Sequence, residues 1–416
     1  MLTEVNWSGN IRYAAHQLVR PSSIDELRTV VSRAKHVKAL GSRHSFNRIA
    51  DTDGVLIPTE ALDIPIELDT DRGRVRTGAG IRYGDLGRWL DARGWALSNL
   101  ASLPHISVGG AISTGTHGSG NSNKSLAAAV AAVEFVTASG DLLRFERGDA
   151  EFPGAVVALG ALGVLTAVEL EVEPAFTVAQ TVYEAVPFDD VLAQLDEVTS
   201  SAYSVSLFTT FRSPDLVDQV WRKGRPDRAT RELPLLAGRE ASGPRHPLPG
   251  VSAKSRTTQG GVAGRWLDRL PHFVLEFTPS NGHELQSEYI LPRDRAGEAL
   301  GAVRALSAQL SPMLQVCEIR TIAGDDLWLS PAYGRDSIGI HFTWILDEPG
   351  VAAVLPALEA ALAPFGARPH WGKVYSAAAD DRMSDLYPHW QQFVELRNRL
   401  DPGGAFANDF LGALFR

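Results

Sequence analysis

Residues 39–47 read A-L-G-S-R-H-S-F-N, a sequence that predicts the end of a strand followed by a polar turn. A short apolar run at residues 36–40 ends at Gly41, a residue type that permits positive φ and a close approach of other backbone. The serines that follow carry hydroxyl groups on short side chains, and consecutive backbone N–H groups in such a turn can bind a phosphate. The pattern predicts a strand and an anion-binding turn with His44 at its centre, although an ordinary loop with a surface histidine would share it.

A second stretch of the same character occupies residues 102–120, S-L-P-H-I-S-V-G-G-A-I-S-T-G-T-H-G-S-G. It shows neither a helical nor a strand period, and a loop of this length inside a compact domain is usually functional or disordered. Ile106, Val108 and Ile112 argue against disorder because apolar side chains favour burial. A buried irregular backbone must find hydrogen-bond partners, so we expect a large polar ligand to lie against this loop.

Composition restricts the class of protein. A chain of 416 residues favours two domains, and its net charge of -9 argues against nucleic acids and anionic membranes as partners. The single cysteine, Cys317, excludes an internal disulfide and a zinc site of several thiolates. The first residues, M-L-T-E-V-N-W-S-G-N, lack the pattern of a signal peptide. We therefore expect a soluble cytoplasmic protein, and a monomer because no exposed heptad or long apolar stripe is visible.

Periodicity predicts alternating helices and strands in the first half of the chain. Ser23 and Glu26 form a capping-box pattern that predicts a helix leading into the strand before Gly41. We further predict strands at residues 55–58, 74–77 and 164–172, helices at residues 86–93 and 152–159, and a hairpin of residues 133–138 and 141–147. A first domain boundary is expected near Pro174.

The second half of the chain is predicted to contain mainly strands, with helices between them. It predicts strands at residues 205–211, 273–277, 288–291, 314–322 and 338–345, and helices at residues 294–310 and 351–363. Residues 223–264, rich in glycine, proline and arginine, show no clear period, and we expect them to follow the surface, with their role left open. Residues from 368 onward are expected to return to the first domain.

Two of these strands carry polar side chains on one face. Alternation places Glu318 with Arg320 on one face of the first strand, and His341 with Thr343 on one face of the second. A solvated sheet face, or a structural ion pair between Glu318 and Arg320, would explain the pattern. The alternative is a pocket floor for a polar substrate, which Lys373 of H-W-G-K would join. A lysine buried beside Arg320 would have a lowered pKa and could act as a base.

These motifs, taken in order, resemble those of a known family. G-S-R-H-S-F-N, the 102–120 stretch, C-E-I-R-T and H-W-G-K together look like the vanillyl-alcohol-oxidase-type FAD oxidases, and are most similar to the branch of alditol and aldonolactone oxidases. The resemblance covers essentially the whole chain and implies an α+β fold. It implies a PCMH-type FAD-binding domain of two subdomains at residues 1–174, a cap domain with a large antiparallel sheet at residues 175–366, and a C-terminal segment, residues 367–416, that returns to the FAD domain.

The resemblance also implies roles for individual residues. His44 matches the position that family members join covalently to the flavin 8α-methyl group. The implied FAD contacts are Ala39, Leu40, Gly41, Ser42, Arg43, Ser45, Ser102, Ser107, Gly110, Thr114, Gly115, Thr116, His117, Val164 and His370. The implied polyol contacts are Ser102, Glu318, Arg320, Thr343 and Lys373, with His341 beside them. Arg43 stands where several relatives have glycine, which leaves the backbone conformation of the loop open.

The implied activity is oxidation of the terminal primary alcohol of an alditol, such as xylitol, sorbitol or glycerol. Hydride would pass to flavin N5 and dioxygen would be reduced to hydrogen peroxide, with no metal ion. We expect Lys373 to accept the hydroxyl proton, Arg320 to stabilise the developing alkoxide, and Glu318 with His341 to complete the catalytic group. The alternatives are an aldonolactone oxidase or dehydrogenase and a flavin- or sugar-binding protein without turnover. A histidine metal site is a third alternative, but no H-E-x-x-H helix supports it.

Overall fold

The computed structural model describes residues 4–277, 283–380 and 382–415. The strands are β1 (Gln17–Leu18), β2 (Val37–Leu40), β3 (Val55–Pro58), β4 (Glu67–Asp69), β5 (Arg74–Gly78), β6 (Trp95–Ala96), β7 (Val130–Val136), β8 (Leu142–Glu146), β9 (Val164–Glu171), β10 (Glu173–Pro174), β11 (Thr177–Pro187), β12 (Ser204–Thr209), β13 (Leu216–Gly224), β14 (Gly264–Arg265), β15 (Glu284–Pro292), β16 (Leu314–Ile322), β17 (Ser337–Ile345) and β18 (Arg368–Pro369). The helices are α1 (Ile24–Arg33), α2 (Tyr83–Asp91), α3 (Val108–Ser113), α4 (Phe152–Val156), α5 (Phe188–Ala193), α6 (Leu195–Thr199), α7 (Ala296–Ala305), α8 (Ser307–Leu310), α9 (Glu348–Leu362), α10 (Ala377–Asp380), α11 (Met383–Leu386), α12 (Trp390–Leu400) and α13 (Asp409–Leu414).

A small parallel sheet, ordered β1-β3-β2, positions the first loop. Helix α1 precedes β2 as predicted, and the Ser23 side chain caps it by accepting a hydrogen bond from Glu26 N. The Glu26 carboxylate accepts from Ser22 N at 2.8 Å, so the reciprocal half of the predicted capping box forms one residue earlier in the chain. Strand β2 ends at Leu40, and the loop begins directly after it.

A five-stranded antiparallel sheet, ordered β4-β5-β9-β7-β8, forms the rest of the first half. The hairpin β7–β8 confirms the pattern read in the sequence. The stretch 102–120 was predicted to lack regular structure, and this is wrong for residues 108–113, which form α3. Gly109 and Gly110 hide the helical period, and the packing requires the first of them. A Cβ on Gly109 would lie 2.9 Å from Ala79 Cβ.

The second half is built on an eight-stranded antiparallel sheet, ordered β14-β11-β13-β12-β16-β17-β15-β18. One face carries Cys317, Ile319, Ile340 and Phe342, which pack in a core with apolar residues of α5, α7 and α9. The opposite face carries the polar residues predicted from strand alternation and is turned toward the loops of the first half. The sheet therefore has one apolar face covered by helices and one polar face turned toward the loops.

Four strands of this sheet were not predicted, the long β11 and β13 and the two-residue β14 and β18, and one predicted strand is absent. Strand β13 ends in the charged residues Arg222 and Lys223, so its sequence does not show the burial that tertiary packing imposes. Residues 273–277 were read as a strand, but they form a turn with one isolated bridge between Phe273 and Arg256. The Leu275 side chain packs against helix α2 instead, where a Cβ on Gly84 would meet it at 2.7 Å.

The C-terminal segment reaches the first loop of the chain. Asn47 Nδ2 donates to Trp371 O at 2.7 Å and to Lys373 O at 2.9 Å, and Phe46 N donates to Gly372 O at 2.8 Å. These bonds fix the backbone that carries Lys373 against residues 39–47. The domain boundaries themselves stay a prediction. Within the described ranges, no helix combines the length and the apolarity needed to cross a membrane.

Candidate active site

A cavity of about 310 Å³ lies between the loops of the first half and the polar face of the large sheet. Its walls are residues 38–46 and stretches of residues 101–117, and its floor is formed by strands β15, β16 and β17. This volume lies within the range typical of small-molecule and cofactor sites. The cavity brings together the two loops and the two strand faces that the sequence singled out.

The two loops are tied to each other. Ser107 N donates to Ser42 Oγ at 2.9 Å, and Ser42 N donates to Ser107 Oγ at 3.3 Å. A Cβ atom on Gly41 would overlap Ser107 Oγ, so glycine is required at this crossing. The loops therefore form one continuous wall, and substitution at Gly41 would separate them.

His44 lies on this wall with one ring nitrogen unsatisfied. Its ring stacks on Trp7 with centroids 5.4 Å apart, and Nδ1 is buried without a hydrogen-bond partner within the described residues. Burial, aided by His105, lowers the pKa of His44 to about 4, so the ring is neutral at physiological pH. A buried, neutral and unpartnered imidazole nitrogen at a cavity wall fits a site completed by a ligand.

Arg43 adopts the conformation that glycine would favour. Its φ is 64°, in the left-handed region, and its side chain pairs with Glu4 at 2.9 Å. Trp7 N donates to Arg43 O at 2.9 Å. The loop backbone thus keeps a glycine-like conformation although arginine replaces glycine, and contacts to the N-terminal segment offset the strain.

Glu288 is the centre of the polar floor, and sequence analysis assigned it no role. Arg320 Nη2 donates to its Oε1 at 2.8 Å, Lys373 Nζ donates to its Oε2 at 2.6 Å, and His117 Nε2 lies 3.1 Å from Oε1. Burial by itself would raise the pKa of Glu288, but Lys373, His117 and Arg320 together hold it well below its ordinary value. The alternation Glu284, Gln286, Glu288 along β15 was the available signal.

Lys373 and His341 both line the cavity and are in direct contact with each other. Burial, with help from Arg320, lowers the pKa of Lys373, whereas Glu288 opposes the shift. The direction agrees with the sequence prediction. Lys373 Nζ also contacts His341 Nδ1, and burial together with Lys373 lowers the pKa of His341 to about 4. The site can therefore hold a lysine that loses its proton more readily than one in water, beside a neutral imidazole.

Glu318 and Arg320 are buried, so the solvated-face interpretation of their strand is wrong. Arg320 Nε lies 3.6 Å from Glu318 Oε1, and Arg320 Nη1 reaches Ser102 Oγ at 3.4 Å. His272 Nε2 lies 2.7 Å from the same Glu318 oxygen. Burial would raise the pKa of Glu318, but Arg320 and His272 lower it below its ordinary value. Glu288 and Glu318 are thus both ionised.

A second layer behind Glu318 contains Lys223. Lys223 Nζ donates to His272 Nδ1 at 3.0 Å and to Pro271 O at 3.2 Å, and it also donates to Leu270 O. Burial lowers the pKa of Lys223 to about 7, and burial together with Lys223 lowers that of His272 to about 3. Neither residue was noticed in the sequence.

The stretch that was expected to follow the surface contributes to the cavity, so that expectation is wrong in part. His246 and Arg256 both line it. Arg256 Nη2 donates to His246 Nε2 at 2.6 Å, and the guanidinium lies 3.5 Å from the centre of the Phe273 ring. Arg256 Nε has no hydrogen-bond partner within the described residues. Irregular chain without periodicity gave no indication of this inward position.

Sequence comparison places these features in a family. The FAD binding domain family matches residues 15–146, and the D-arabinono-1,4-lactone oxidase family matches residues 279–414. The chain is 47% identical to the alditol oxidase of Streptomyces sp. (strain IKD472 / FERM P-14339), over 98% of this chain and 97% of that protein. This chain belongs to the family of FAD-dependent alditol and aldonolactone oxidases.

More distant members of the family and solved structures agree. The L-gulono-1,4-lactone dehydrogenase of Mycobacterium tuberculosis is 31% identical over 97% of both chains, and the L-gulonolactone oxidase of Bos taurus is 30% identical over 99% of this chain and 97% of its own. Cholesterol oxidase from B. sterolicum superposes with a TM-score of 0.80 at 15% identity, covering 99% of this chain and 96% of that one. This likeness confirms the predicted α+β fold of the vanillyl-alcohol-oxidase type.

The cavity collects almost all residues to which the family resemblance gave a role. Gly115 and Val164 are the two exceptions. Gly115 has φ of 69° and faces Pro331, and the Val164 side chain packs in a separate apolar cluster with Leu27 and Val37. Gly163 and Leu165, the neighbours of Val164, line the cavity instead. Contacts of individual residues with FAD stay predictions.

The residues present fit FAD. The interlocked loops supply a glycine-containing wall, and the unpartnered His44 Nδ1 supplies a polar atom that a ligand would satisfy. The charged floor formed by Glu288, Glu318 and Arg320 faces the same cavity, so groups able to bind a polar molecule lie opposite this wall. The part of the chain that the structure describes holds no cluster of three or more His, Cys, Asp or Glu arranged for a metal ion.

Proposed function

We propose that this enzyme oxidises the terminal primary alcohol of alditols to the aldehyde of the aldose, and that dioxygen is reduced to hydrogen peroxide. One observation carries the proposal. The cavity beside the loops proposed to bind FAD brings Glu318, Arg320 and Thr343 of the large sheet together with Lys373 of the C-terminal segment, in a chain 47% identical to an alditol oxidase. Buried donors and acceptors in this density suit a substrate with several hydroxyl groups, since each of its oxygens can pair with one of them.

Each floor residue has a role that its contacts support. Lys373 Nζ accepts the hydroxyl proton, because its lowered pKa favours the neutral amine and Glu288 holds it in place. Arg320 stays charged and stabilises negative charge on the substrate oxygen. Glu318 and Thr343 hold further hydroxyl groups. FAD, when bound, would supply the acceptor for the substrate hydride and the means of reducing dioxygen by the same two electrons.

The proposal includes covalent attachment of FAD through His44. His44 Nδ1 is a buried ring nitrogen without a hydrogen-bond partner among the described residues, and the lowered pKa of the ring keeps it neutral and therefore nucleophilic. We also propose that the enzyme is a cytoplasmic monomer, which its acidic charge and single buried cysteine favour.

An aldonolactone substrate is the second candidate. The match of residues 279–414 to the D-arabinono-1,4-lactone oxidase family favours it, as does the 31% identical L-gulono-1,4-lactone dehydrogenase. The two candidates share fold and cofactor, so only the substrate distinguishes them. The higher identity to the alditol oxidase supports the open-chain polyol.

An anaerobic titration distinguishes these candidates. Purified enzyme is mixed with xylitol and, separately, with L-gulono-1,4-lactone, and the flavin absorbance is followed. We expect bleaching by xylitol and none by the lactone. Bleaching by the lactone alone would transfer the function to the second candidate, and a yellow protein that neither compound bleaches would contradict both.

The covalent bond has its own test. After acid precipitation, we expect the wild-type pellet to stay yellow, whereas His44→Ala should release its flavin into the supernatant. His105→Ala is the matched control, because His105 lies near the same loop but its Nε2 contacts Leu275 O. Release of flavin from the wild type would contradict the covalent assignment without affecting the substrate assignment.

A further inference from the structure

Lys223 is a buried cation that the proposed reaction does not use. It lies on β13, it is 1% exposed, and it does not line the cavity. Its ammonium group has three acceptors within reach, Leu270 O, Pro271 O and His272 Nδ1. Three acceptors match the three N–H donors of a charged lysine, so the surroundings are complementary to the ammonium form.

The lysine determines which nitrogen of His272 carries the proton. Because Nδ1 accepts from Lys223, Nε2 carries the hydrogen and donates to Glu318 Oε1 at 2.7 Å. The ring is held edge-on by Phe208 and Trp221, with centroid distances of 5.6 Å and 5.1 Å. The imidazole therefore has a fixed orientation and a fixed tautomer.

We propose that Lys223 and His272 are positioning residues that orient the Glu318 carboxylate, and that Lys223 in its ammonium form places one positive charge behind it. Glu318 is then held from outside the cavity, and its second oxygen stays available to substrate hydroxyl groups. The expected effects on xylitol binding and on flavin reduction rest on the proposed alditol oxidation. The position of the proton on His272 does not depend on that proposal.

The charge balance of the floor explains why such a pair is useful. Glu318 faces Arg320 on its own strand, His341 on β17, His272, and at longer range Arg256. With Lys223 offsetting Glu318 from behind, Arg320 is free to make its closer ion pair with Glu288, at 2.8 Å rather than 3.6 Å. Removing Lys223 would leave the carboxylate short of one cation, and Glu318 would compete for Arg320.

The charge on Lys223 also affects the pKa of Lys373. The charged and titratable groups facing it are Glu288 on β15, His341 on β17, Arg320 and Glu318 on β16, and His370 on its own segment. Loss of a positive charge behind Glu318 makes this environment more negative, and a more negative environment favours the protonated amine. The pKa of Lys373 should therefore rise when Lys223 is neutralised.

The first test reads the proton directly. Oxidised holoenzyme labelled with ¹⁵N-histidine is examined by NMR without substrate, and His272→Gln assigns the resonances of the ring. We expect a proton on Nε2 at pH 7, and a changed Nδ1 resonance in Lys223→Met. An Nε2 without a proton would overturn the proposal.

The second test reads the consequence. In Lys223→Met we expect FAD content to be unchanged, the Kd for xylitol to rise about tenfold, and the pH limb for flavin reduction to move upward by roughly one pH unit. Lys223→Gln also removes the charge and replaces Lys223→Met if that variant does not fold. Arg222→Met is the matched control, since Arg222 is a buried cation on the opposite face of β13 that donates to Ser201 O.

The outcomes separate the two proposals. Lower thermal stability with a wild-type pH limb in Arg222→Met, and a shifted limb in the Lys223 variants, would support the positioning role. A wild-type Kd and pH limb in the Lys223 variants, or equal shifts in the control, would overturn it. Failure of xylitol to bleach the wild type would contradict the alditol proposal. The NMR result would still decide whether Lys223 and His272 orient Glu318 as proposed.

Discussion

At the scale of single residues, the site is a balance of buried charges. Glu288 is in contact with Arg320 and Lys373, and each of its carboxylate oxygens accepts a hydrogen bond from one of them. A buried carboxylate is tolerated only when such partners replace its hydration. The same arrangement brings the amine of Lys373 and the guanidinium of Arg320 to one point of the cavity. One group can therefore take a proton while the other stabilises the negative charge that results.

The residue-scale prediction concerns Lys373. In Lys373→Met, we expect the rate constant of flavin reduction by xylitol to fall at least ~100-fold, the usual range for losing an acid–base group. Because a base acts in its deprotonated form, wild-type reduction should rise with pH through the lowered pKa of Lys373, and this limb should vanish in the variant. Stopped-flow reduction from pH 6 to 10 measures both effects.

The exposed Lys124→Met is the control for Lys373→Met and should behave as wild type. Unchanged reduction in Lys373→Met would remove this lysine from the mechanism. His341, whose Nδ1 contacts the same amine, would then be the next proton acceptor to examine.

At the scale of elements, the register of three strands determines what meets in the cavity. Glu288, His341 and Glu318 lie side by side on β15, β17 and β16. Gly339 stands opposite Arg320 in the neighbouring row, and its missing side chain leaves space for the Arg320–Glu288 contact. Strand alternation showed which residues share a face, but pairing register cannot be read from one strand alone.

Gly339→Ala tests this register. A methyl group there would lie 3.2 Å from Glu288 Oε1 and 3.2 Å from His117 Cε1, so both side chains must shift by a few tenths of an ångström. We expect folding and FAD content to be retained and kcat/KM for xylitol to fall roughly 10- to 100-fold, because small displacements of catalytic groups are costly. Steady-state kinetics and flavin absorbance measure the two quantities.

Gly301→Ala on α7 is the matched control, since a Cβ there would meet no atom within 4 Å. It should raise helix stability by up to ~1 kcal/mol and leave kinetics unchanged. Wild-type kinetics in Gly339→Ala would show that the Arg320–Glu288 contact tolerates the methyl group, against our account of the floor.

At the scale of the whole molecule, burial of histidines links stability to pH. Burial lowers the pKa of His44 and His341 to about 4, and that of His246 and His272 to about 3. Between pH 6.5 and 4, the unfolded chain therefore binds protons that the folded chain excludes. The free energy of unfolding must fall as the pH falls through this window, by about 1.4 kcal/mol per pH unit for each such histidine once it is charged in the unfolded chain.

The melting temperature should accordingly drop between pH 6.5 and 4.5, before most carboxylates titrate. His246→Gln should flatten this dependence by one proton, because Gln cannot be charged in the unfolded chain. The exposed His16→Gln is the control and should keep the wild-type slope. Differential scanning calorimetry measures both variants, and a wild-type slope in His246→Gln would contradict the assignment of a neutral buried ring.

The local features of this protein could be predicted from its sequence alone. It identified the loop after β2, the long second loop, and the polar faces of β16 and β17, because glycine, hydroxyl residues and a two-residue alternation are properties of neighbouring positions. The motif order also identified the family. The buried charged residues that meet in the site became visible only in the folded structure. Glu288, the Lys223–His272 pair, and the inward position of Arg256 depend on contacts between residues far apart in the chain. A buried cation or carboxylate looks like a surface residue in a sequence, because its burial is made tolerable by partners that only the folded chain brings within hydrogen-bonding distance.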